Sequence, residues 1–266
     1  MAEKLTLEKL VELGNIPSST LQEQAKGSII YDDFKCEPVC VAPAGAGAAT
    51  GTTGDENILL TEKHSYRYHM LGAGQTIVGF SNNAKGLDIT LDDANNEGCE
   101  IIPSLTAWAN GYMTVGTDAA FYVKVTANIT TPDEISPFYV GFRKSEAFQA
   151  DYNDYDELAA IGISGDSTDA IVKTCTILNN AATSEIDSTQ DAVAATDTTF
   201  YVEVSASGVV TFKWGAASLA APTVTQSFTF DSGEKVIPFV HFLHHTNTAD
   251  GVYLKKFEVG YVSEQV

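Results

Sequence analysis

The chain of 266 residues contains 35 acidic and 15 basic residues, a formal charge of −20, and 44% of its residues are hydrophobic. This hydrophobic content suffices for a packed core, so the composition excludes a globally disordered chain. The negative charge repels phosphate groups, so we expect neither nucleic acid nor an anionic membrane as a partner.

Residues 1–27 differ in composition from the rest, and residues 1–56 are predicted to form an N-terminal arm with a flexible loop. Leu7, Leu10 and Val11 recur at helical spacing, and a second short helical turn begins at Leu21. Two short amphipathic helices cannot form a core alone, so we expect these side chains to dock on the β-domain, a sister subunit or another protein. SIIYDDF and EPVCVAP suggest one or two strands, and the small-residue stretch AGAGAATGTTG predicts the loop.

Residues 57–266 are predicted to be almost continuously β. Apolar strand-like segments separated by Gly, Asn, Asp and Pro follow one another: ILLTE, SYRYHML, QTIVGF, LDITL, CEIIP, AAFYVKVTANI, FYVGFRK, ELAAIGIS and AIVKTCTIL. In FYVEV, VVTFKW, SFTF and YLKKFEVGYV, apolar and polar residues alternate, which is typical of half-buried strands. Short Gly-bearing links between them favour antiparallel neighbours. The pattern predicts an all-β, two-sheet antiparallel sandwich.

The best metal candidate is the acidic run around Asp93, Asn95 and Glu97. These residues and Gly98 match the first half of a D-x-N-x-E-G calcium loop. The twelfth position of such a loop is a bidentate Glu, and here it is Ser104. The alternative is a solvated turn between two strands. We therefore expect no cofactor, with calcium as the alternative that this run leaves open.

A second acidic cluster, which includes Asp154 and Asp156, precedes the strand ELAAIGI. Some glycosidases built on a two-sheet β-sandwich carry E-x-D-x-x-E on a strand. Because side chains alternate along a strand, this spacing places the carboxylates on one face. Asp154 and Asp156 match that alternation, but alanines follow where the third acid belongs. There is no G-x-S-x-G motif either, so the chain is predicted not to be an enzyme.

Aromatic and histidine side chains are the remaining candidates for a binding site. Tyr66 and Tyr68 share a strand face and can either stack on sugar rings or make core or interface contacts. Trp108 and Trp214 are further glycan candidates. The histidines of PFVHFLHH can supply zinc ligands, but we expect them to lie at a strand end near the surface.

Several of these stretches resemble virion structural proteins of marine tailed phages and cyanophages, which have concanavalin A-like jelly-roll domains. They are GLDITLDDANNEGCEIIP, GTDAAFYVKVTANIT, YVGFRKSEAFQADYNDYDELAAIGIS, FTFDSGEKVIPFVHFLHH and LKKFEVGYV. The resemblance implies a capsid decoration (cement) protein that binds the major capsid protein on the outer surface of the head. It also implies a homotrimer.

The start of the chain, MAEKLTLEKL, lacks a secretory pattern, which agrees with a virion assembled in a host cytoplasm. We therefore expect the four cysteines to be reduced. The main alternative is a carbohydrate-binding, lectin-like virion protein that adheres to host-surface glycans. A glycoside hydrolase is the third hypothesis.

Overall fold

The computed structural model describes residues 28–36, 38–41, 50–52, 56–76, 79–81, 86–90, 95–104, 112–165, 169–245 and 251–262. Regular structure in these ranges is almost entirely β, with two short 3-10 helices at Pro132–Glu134 and Tyr152–Asp154. None of the described segments forms a helix long and apolar enough to cross a membrane. The predicted all-β class is confirmed.

The strands, in chain order, are β1 (Ser28–Asp32), β2 (Val39–Val41), β3 (Thr50–Thr52), β4 (Glu56–Leu60), β5 (Ser65–Leu71), β6 (Ala73–Thr76), β7 (Gly79–Ser81), β8 (Gly86–Asp88), β9 (Gly98–Pro103), β10 (Met113–Thr114), β11 (Phe121–Ile129), β12 (Ile135–Lys144), β13 (Leu158–Ile163), β14 (Ile171–Ile177), β15 (Ser184–Asp191), β16 (Thr196–Val204), β17 (Val210–Gly215), β18 (Lys235–His244) and β19 (Val252–Tyr261).

Two antiparallel sheets contain most of these strands. The smaller sheet has seven strands in the order β17-β16-β11-β19-β8-β7, and β1 also pairs with β19. The larger sheet has ten strands in the order β15-β14-β13-β12-β18-β9-β5-β4-β2, and β10 pairs with β18. Strands β3 and β6 form a separate pair. The architecture is the predicted two-sheet sandwich.

The main core lies between the inner faces of the two sheets. Aromatic rings from facing strands meet there: the centroids of Phe121 and Phe142 are 5.0 Å apart, and those of Phe138 and Phe200 are 5.7 Å apart. Alternate residues of β11, β16 and β19 point into this core. Their other residues therefore form the outer face of the smaller sheet, where the polar half of the alternation lies.

Part of the outer face of the larger sheet is also covered. A second apolar cluster forms between β12, β13, β18 and the segment 145–157, and it contains Tyr139, Tyr155, Leu158 and Phe239. Strand β18 is therefore buried on both faces, which explains the nearly unbroken apolar run in PFVHFLHH. The prediction that these histidines lie near the surface is wrong for His241 and His244, which are both buried.

Residues on both sides of the predicted boundary at 56/57 share the two sheets. Strand β1 pairs with β19, with Ile30 opposite Val259, and Ile30 is part of the main core. Strand β2 pairs with β4. The sandwich therefore includes segments from Ser28 onward that the sequence pattern assigned to the arm. Leu7, Leu10, Val11 and Leu21 lie outside the described residues, so the arm remains a prediction.

Candidate functional site

A cleft of about 580 Å³ opens on the outer face of the smaller sheet. It lies along β19, where the neighbouring strand changes from β8, paired with residues 253–254, to β1, paired with residues 257–260. The volume is within the range of small-molecule sites, about 300–1,000 Å³. The cleft is lined by Tyr31, Asp33, Phe34, Lys35, Gly86, Thr126, Asp197, Thr199, Ala216, Lys255 and Lys256.

A β-bulge in β19 turns two lysines into the cleft. Thr126 of β11 pairs with Lys256, whereas the next residue, Ala127, pairs with Leu254, so Lys255 is the extra residue. Leu254 and Phe257, on either side of the bulge, both point into the core. The bulge thus shifts the phase of the alternation and leaves both lysines on the outer face.

The side chain of Asp32 stabilises the turn after β1. Its buried carboxylate accepts a hydrogen bond from the backbone N–H of Phe34 at 3.0 Å and another from the Thr61 hydroxyl. The Tyr66 hydroxyl also donates to it, at 3.3 Å. Phe34 has a φ of +43°, a left-handed conformation that this Asx-type bond supports. These bonds place Asp33, on the other side of the turn, in the cleft wall.

Replacing Asp32 by alanine should lower the free energy of unfolding by about 2 kcal/mol, because several buried donors lose their acceptor. Urea denaturation measures this change. Asp191→Ala, an exposed aspartate on β15, is the control and should stay within about 0.5 kcal/mol of wild type. Equal stability of the two variants would contradict the assigned role of Asp32.

Asp33 forms two short ion pairs at the mouth of the cleft. The ammonium group of Lys35 lies 2.7 Å from one carboxylate oxygen, and that of Lys63 lies 2.6 Å from the other. Burial alone would raise the pKa of Asp33, but the hydrogen bonds from Lys35 and Lys63 outweigh burial and lower it. Asp33 is therefore ionised at neutral pH, and the two lysines compensate its negative charge.

Asp197 has a similar environment on the opposite wall. Lys255 lies 2.8 Å from its carboxylate, and the Asn128 side-chain amide donates to it at 2.7 Å. Burial alone would raise the pKa of Asp197, but Lys255 and Asn128 outweigh this effect and lower it. Both acidic groups of the cleft are thus ionised and already paired with cations.

The remaining lining groups are hydroxyls and one aromatic ring. The hydroxyls of Thr126 and Thr199 are 2.8 Å apart on the floor. The half-buried Tyr31 contributes its ring, over which the Lys63 ammonium lies at 5.1 Å. Carboxylates, hydroxyls, ammonium groups and an aromatic ring together offer both donors and acceptors for a ligand rich in hydroxyl groups.

The predicted glycan contacts Tyr66 and Tyr68 do not line this cleft. Both are 0% exposed and belong to the main core, so of the two alternatives the core contact is the one observed and a sugar contact is excluded for them. Alternation shows that the two side chains share a face but not that this face is covered. Trp108 lies outside the described residues. Trp214 is partly buried and packs against the core.

The calcium candidates lie before β9. Asn95 and Asn96 form a turn, as the sequence suggests, and the Glu97 carbonyl accepts a hydrogen bond from the His244 backbone N–H at 2.9 Å. Asp93 lies outside the described residues. Among the described residues, no group of three His, Cys, Asp or Glu side chains is arranged to hold a metal ion.

The carboxylates considered for hydrolysis are not presented on a strand. Asp154 lies in the 3-10 helix Tyr152–Asp154, and β13 begins only at Leu158. Asp156 pairs with Lys144 at 3.2 Å. The expectation that alternation aligns Asp154 and Asp156 on one strand face is therefore wrong, because neither residue lies in a strand.

A buried charged network lies on the outer face of the larger sheet. Arg143 donates to Glu100 at 2.7 Å, and the Tyr155 hydroxyl donates to the second Glu100 oxygen at 2.9 Å. Burial alone would raise the pKa of Glu100, but Arg143 and the nearby His241 lower it. Arg143 and Glu100 are 1% and 0% exposed, so this network is closed to ligands and acts in stability.

The sequence around the two cleft lysines contains a pattern that indicates the β-bulge and that a simple strand prediction overlooks. A strict period of two in VYLKKFEV is broken by two consecutive polar residues, Lys255 and Lys256. Such a doubling inside a strand is typical of a bulge. No comparable signal connects these residues with Asp33 or Asp197, which are far away in the chain.

No family model matches the chain, and no curated protein matches it in sequence. Among solved structures, the Ca²⁺-bound exoplasmic/lumenal domain of VIP36 is 8% identical, with a TM-score of 0.50 over 91% of this chain and 93% of that chain. The same domain with Ca²⁺ and Man3GlcNAc bound is 9% identical, with a TM-score of 0.49 over 87% and 92%. The CBM2 module of the Lactobacillus casei BL23 phage J-1 evolved Dit is 7% identical, with a TM-score of 0.43 over 90% and 97%. The chain has the concanavalin A-like jelly-roll sandwich fold.

Proposed function

We propose that the protein is a non-enzymatic, carbohydrate-binding β-sandwich whose glycan site is the cleft on the smaller sheet. The observation that carries the proposal is the cleft itself, which has a volume of about 580 Å³. Its walls combine a tyrosine ring with paired carboxylates, hydroxyls and ammonium groups. Sugar hydroxyls both donate and accept hydrogen bonds, and sugar rings pack on aromatic faces. The VIP36 domain, which shares the fold, has been solved with Man3GlcNAc.

Binding to a glycan array and isothermal titration of the best ligand test this proposal. Thr126→Trp places an indole in the cleft and should reduce affinity at least about tenfold, the equivalent of losing one or two good polar contacts. The control is Thr211→Trp on β17, which is exposed on the same sheet outside the lining. Absence of any glycan bound by the wild-type chain contradicts the proposal, as does equal binding by the two variants.

Capsid decoration is the second candidate, in which the protein binds the outer surface of a tailed-phage head as a homotrimer. It is supported by the resemblance described above and by an exposed apolar strip at one edge of the larger sheet. Val39, Ile58 and Leu60 point to the same side there and are 61%, 43% and 41% exposed. Exposed apolar strips favour a protein contact.

Purified protein should then add to bare heads at a fixed stoichiometry, measured by sedimentation. Ile58→Glu and Leu60→Glu should weaken this binding without unfolding the sandwich, because both side chains are exposed. Deletion of residues 1–27 should abolish it if the predicted arm docks on the shell. Wild-type binding by both kinds of variant would exclude the strip and the arm as contacts.

A further inference from the structure

We infer that the cleft selects anionic glycans and places a sulfate ester or uronate carboxylate of the sugar against Lys256. This inference rests on the proposed glycan binding and adds the charge of the ligand, which the fold does not specify. Three observations support it: the local balance of charge, the pairing of the carboxylates, and the position of Lys256 on the bulge.

The cleft is a local exception to the charge of the chain. The protein has 15 basic and 35 acidic residues, yet the lining contains three lysines and two aspartates. A fourth lysine, Lys63, contacts Asp33 directly. In a protein with a formal charge of −20, cations outnumber anions at this site.

Both carboxylates of the lining are already neutralised. Asp33 is held between two ammonium groups, and Asp197 is paired with Lys255 and Asn128. Burial opposes the ionisation of both groups, but the neighbouring lysines and Asn128 together lower the pKa of each. An incoming anion therefore does not meet an uncompensated negative charge within the cleft.

Lys256 supplies the positive charge that no ion pair of the described residues holds, and its field also reaches Asp197. It is exposed, and it has no ion-pair partner among the residues that the structure describes. The bulge keeps it on the same face as Lys255, which is committed to Asp197. An ammonium group offers three donors and binds a sulfate or carboxylate as a compact charge.

The acidic remainder of the protein does not cancel this attraction. Charges separated by more than a Debye length, about 8 Å at physiological ionic strength, are largely screened. The lysines of the lining act over shorter distances, so they dominate the field that a bound ligand experiences. The preference for an anionic ligand should therefore persist at an ionic strength of about 0.15 M.

The experiment compares matched neutral and anionic oligosaccharides on the full chain. An array carries galactan oligomers with their sulfated forms and glucan oligomers with their glucuronan counterparts, and titration calorimetry measures the best pair. The anionic form should bind about tenfold more tightly, as expected for one added charged hydrogen bond. Lys256→Gln should reduce the ratio to about twofold. Lys173→Gln, an ion-paired lysine on the larger sheet, is the control and should keep the full ratio.

Each outcome separates the two proposals. Equal binding of neutral and anionic forms overturns the inference and leaves glycan binding intact. No binding of either form contradicts glycan binding itself. Inorganic sulfate at matched ionic strength should not displace the oligosaccharide, and displacement would show that the site recognises a free anion rather than a charged sugar. An unchanged ratio in Lys256→Gln overturns the assignment of that residue.

Discussion

Arg143→Met is expected to lower the free energy of unfolding by about 4 kcal/mol, because it leaves the Glu100 carboxylate buried without its cation. The pair is 1% and 0% exposed, and its atoms are 2.7 Å apart. Tyr155 alone cannot replace the charge of the guanidinium group, over which its ring lies at 4.3 Å. Urea denaturation followed by fluorescence measures the change.

Two further variants distinguish the loss of the buried ion pair from the loss of any cationic side chain. Lys173→Met removes a half-exposed pair with Glu185 at 3.7 Å and should cost less than about 1 kcal/mol. The double variant Glu100→Met, Arg143→Met should recover most of the lost stability, because neither charge of this pair then remains buried without its partner. A loss below about 1 kcal/mol in Arg143→Met would refute the buried pair.

The pH dependence of Arg143→Met has a defined sign. The pKa of Glu100 is lowered in the folded state, so its contribution is present above the ordinary carboxyl pKa of 4.5. This contribution is lost as the pH falls through the lowered pKa. The difference in stability between wild type and Arg143→Met should therefore shrink in acid.

Glu157→Gln is expected to stabilise the protein in alkali by roughly 3 kcal/mol and to have little effect in acid. Glu157 is 0% exposed, and neither carboxylate oxygen has a hydrogen-bond partner among the described residues. Burial, chiefly, and the carboxylates of Glu234 and Asp231 together raise its pKa to about 7, against the opposing effect of Lys144.

The sign follows from the proton balance. The folded protein retains the Glu157 proton up to about pH 7, whereas the unfolded chain releases it near 4.5. Stability from this group is thus complete below pH 4.5 and is lost as the pH rises through 7. Glutamine has no proton to lose, so the variant should not show this decline. Asp154→Asn changes an exposed carboxylate and is the control, so its stability should depend on pH as that of the wild type does. The prediction would be refuted if Glu157→Gln showed the wild-type dependence as well.

Strand positions were largely predictable because alternation and turn residues are local. The segments FYVEV, VVTFKW and YLKKFEVGYV form β16, β17 and β19 as expected. The prediction failed where the neighbourhood changed the meaning of a pattern. The histidines of β18 were predicted to lie near the surface, but the segment 145–157 covers that face of the strand and buries His241.

The candidate site was less predictable than the fold. Tyr66 and Tyr68 were suitable side chains for sugar binding, yet the smaller sheet covers them. The residues of the cleft come from β1, β8, β11, β16 and β19 and from the turns beside them, which lie far apart in the sequence. Their types do not form a motif, so only their spatial arrangement indicates a site.

By itself the sequence determined that this protein is an all-β sandwich with a strongly acidic surface, since period-two hydrophobicity and composition can be read without knowing any partner strand. Only the tertiary structure decided which faces are buried and that Asp33, Asp197, Lys255 and Lys256 surround one cleft. The reason is that β1 and β8 share one edge of β19, and no local pattern encodes these pairings between strands far apart in the chain.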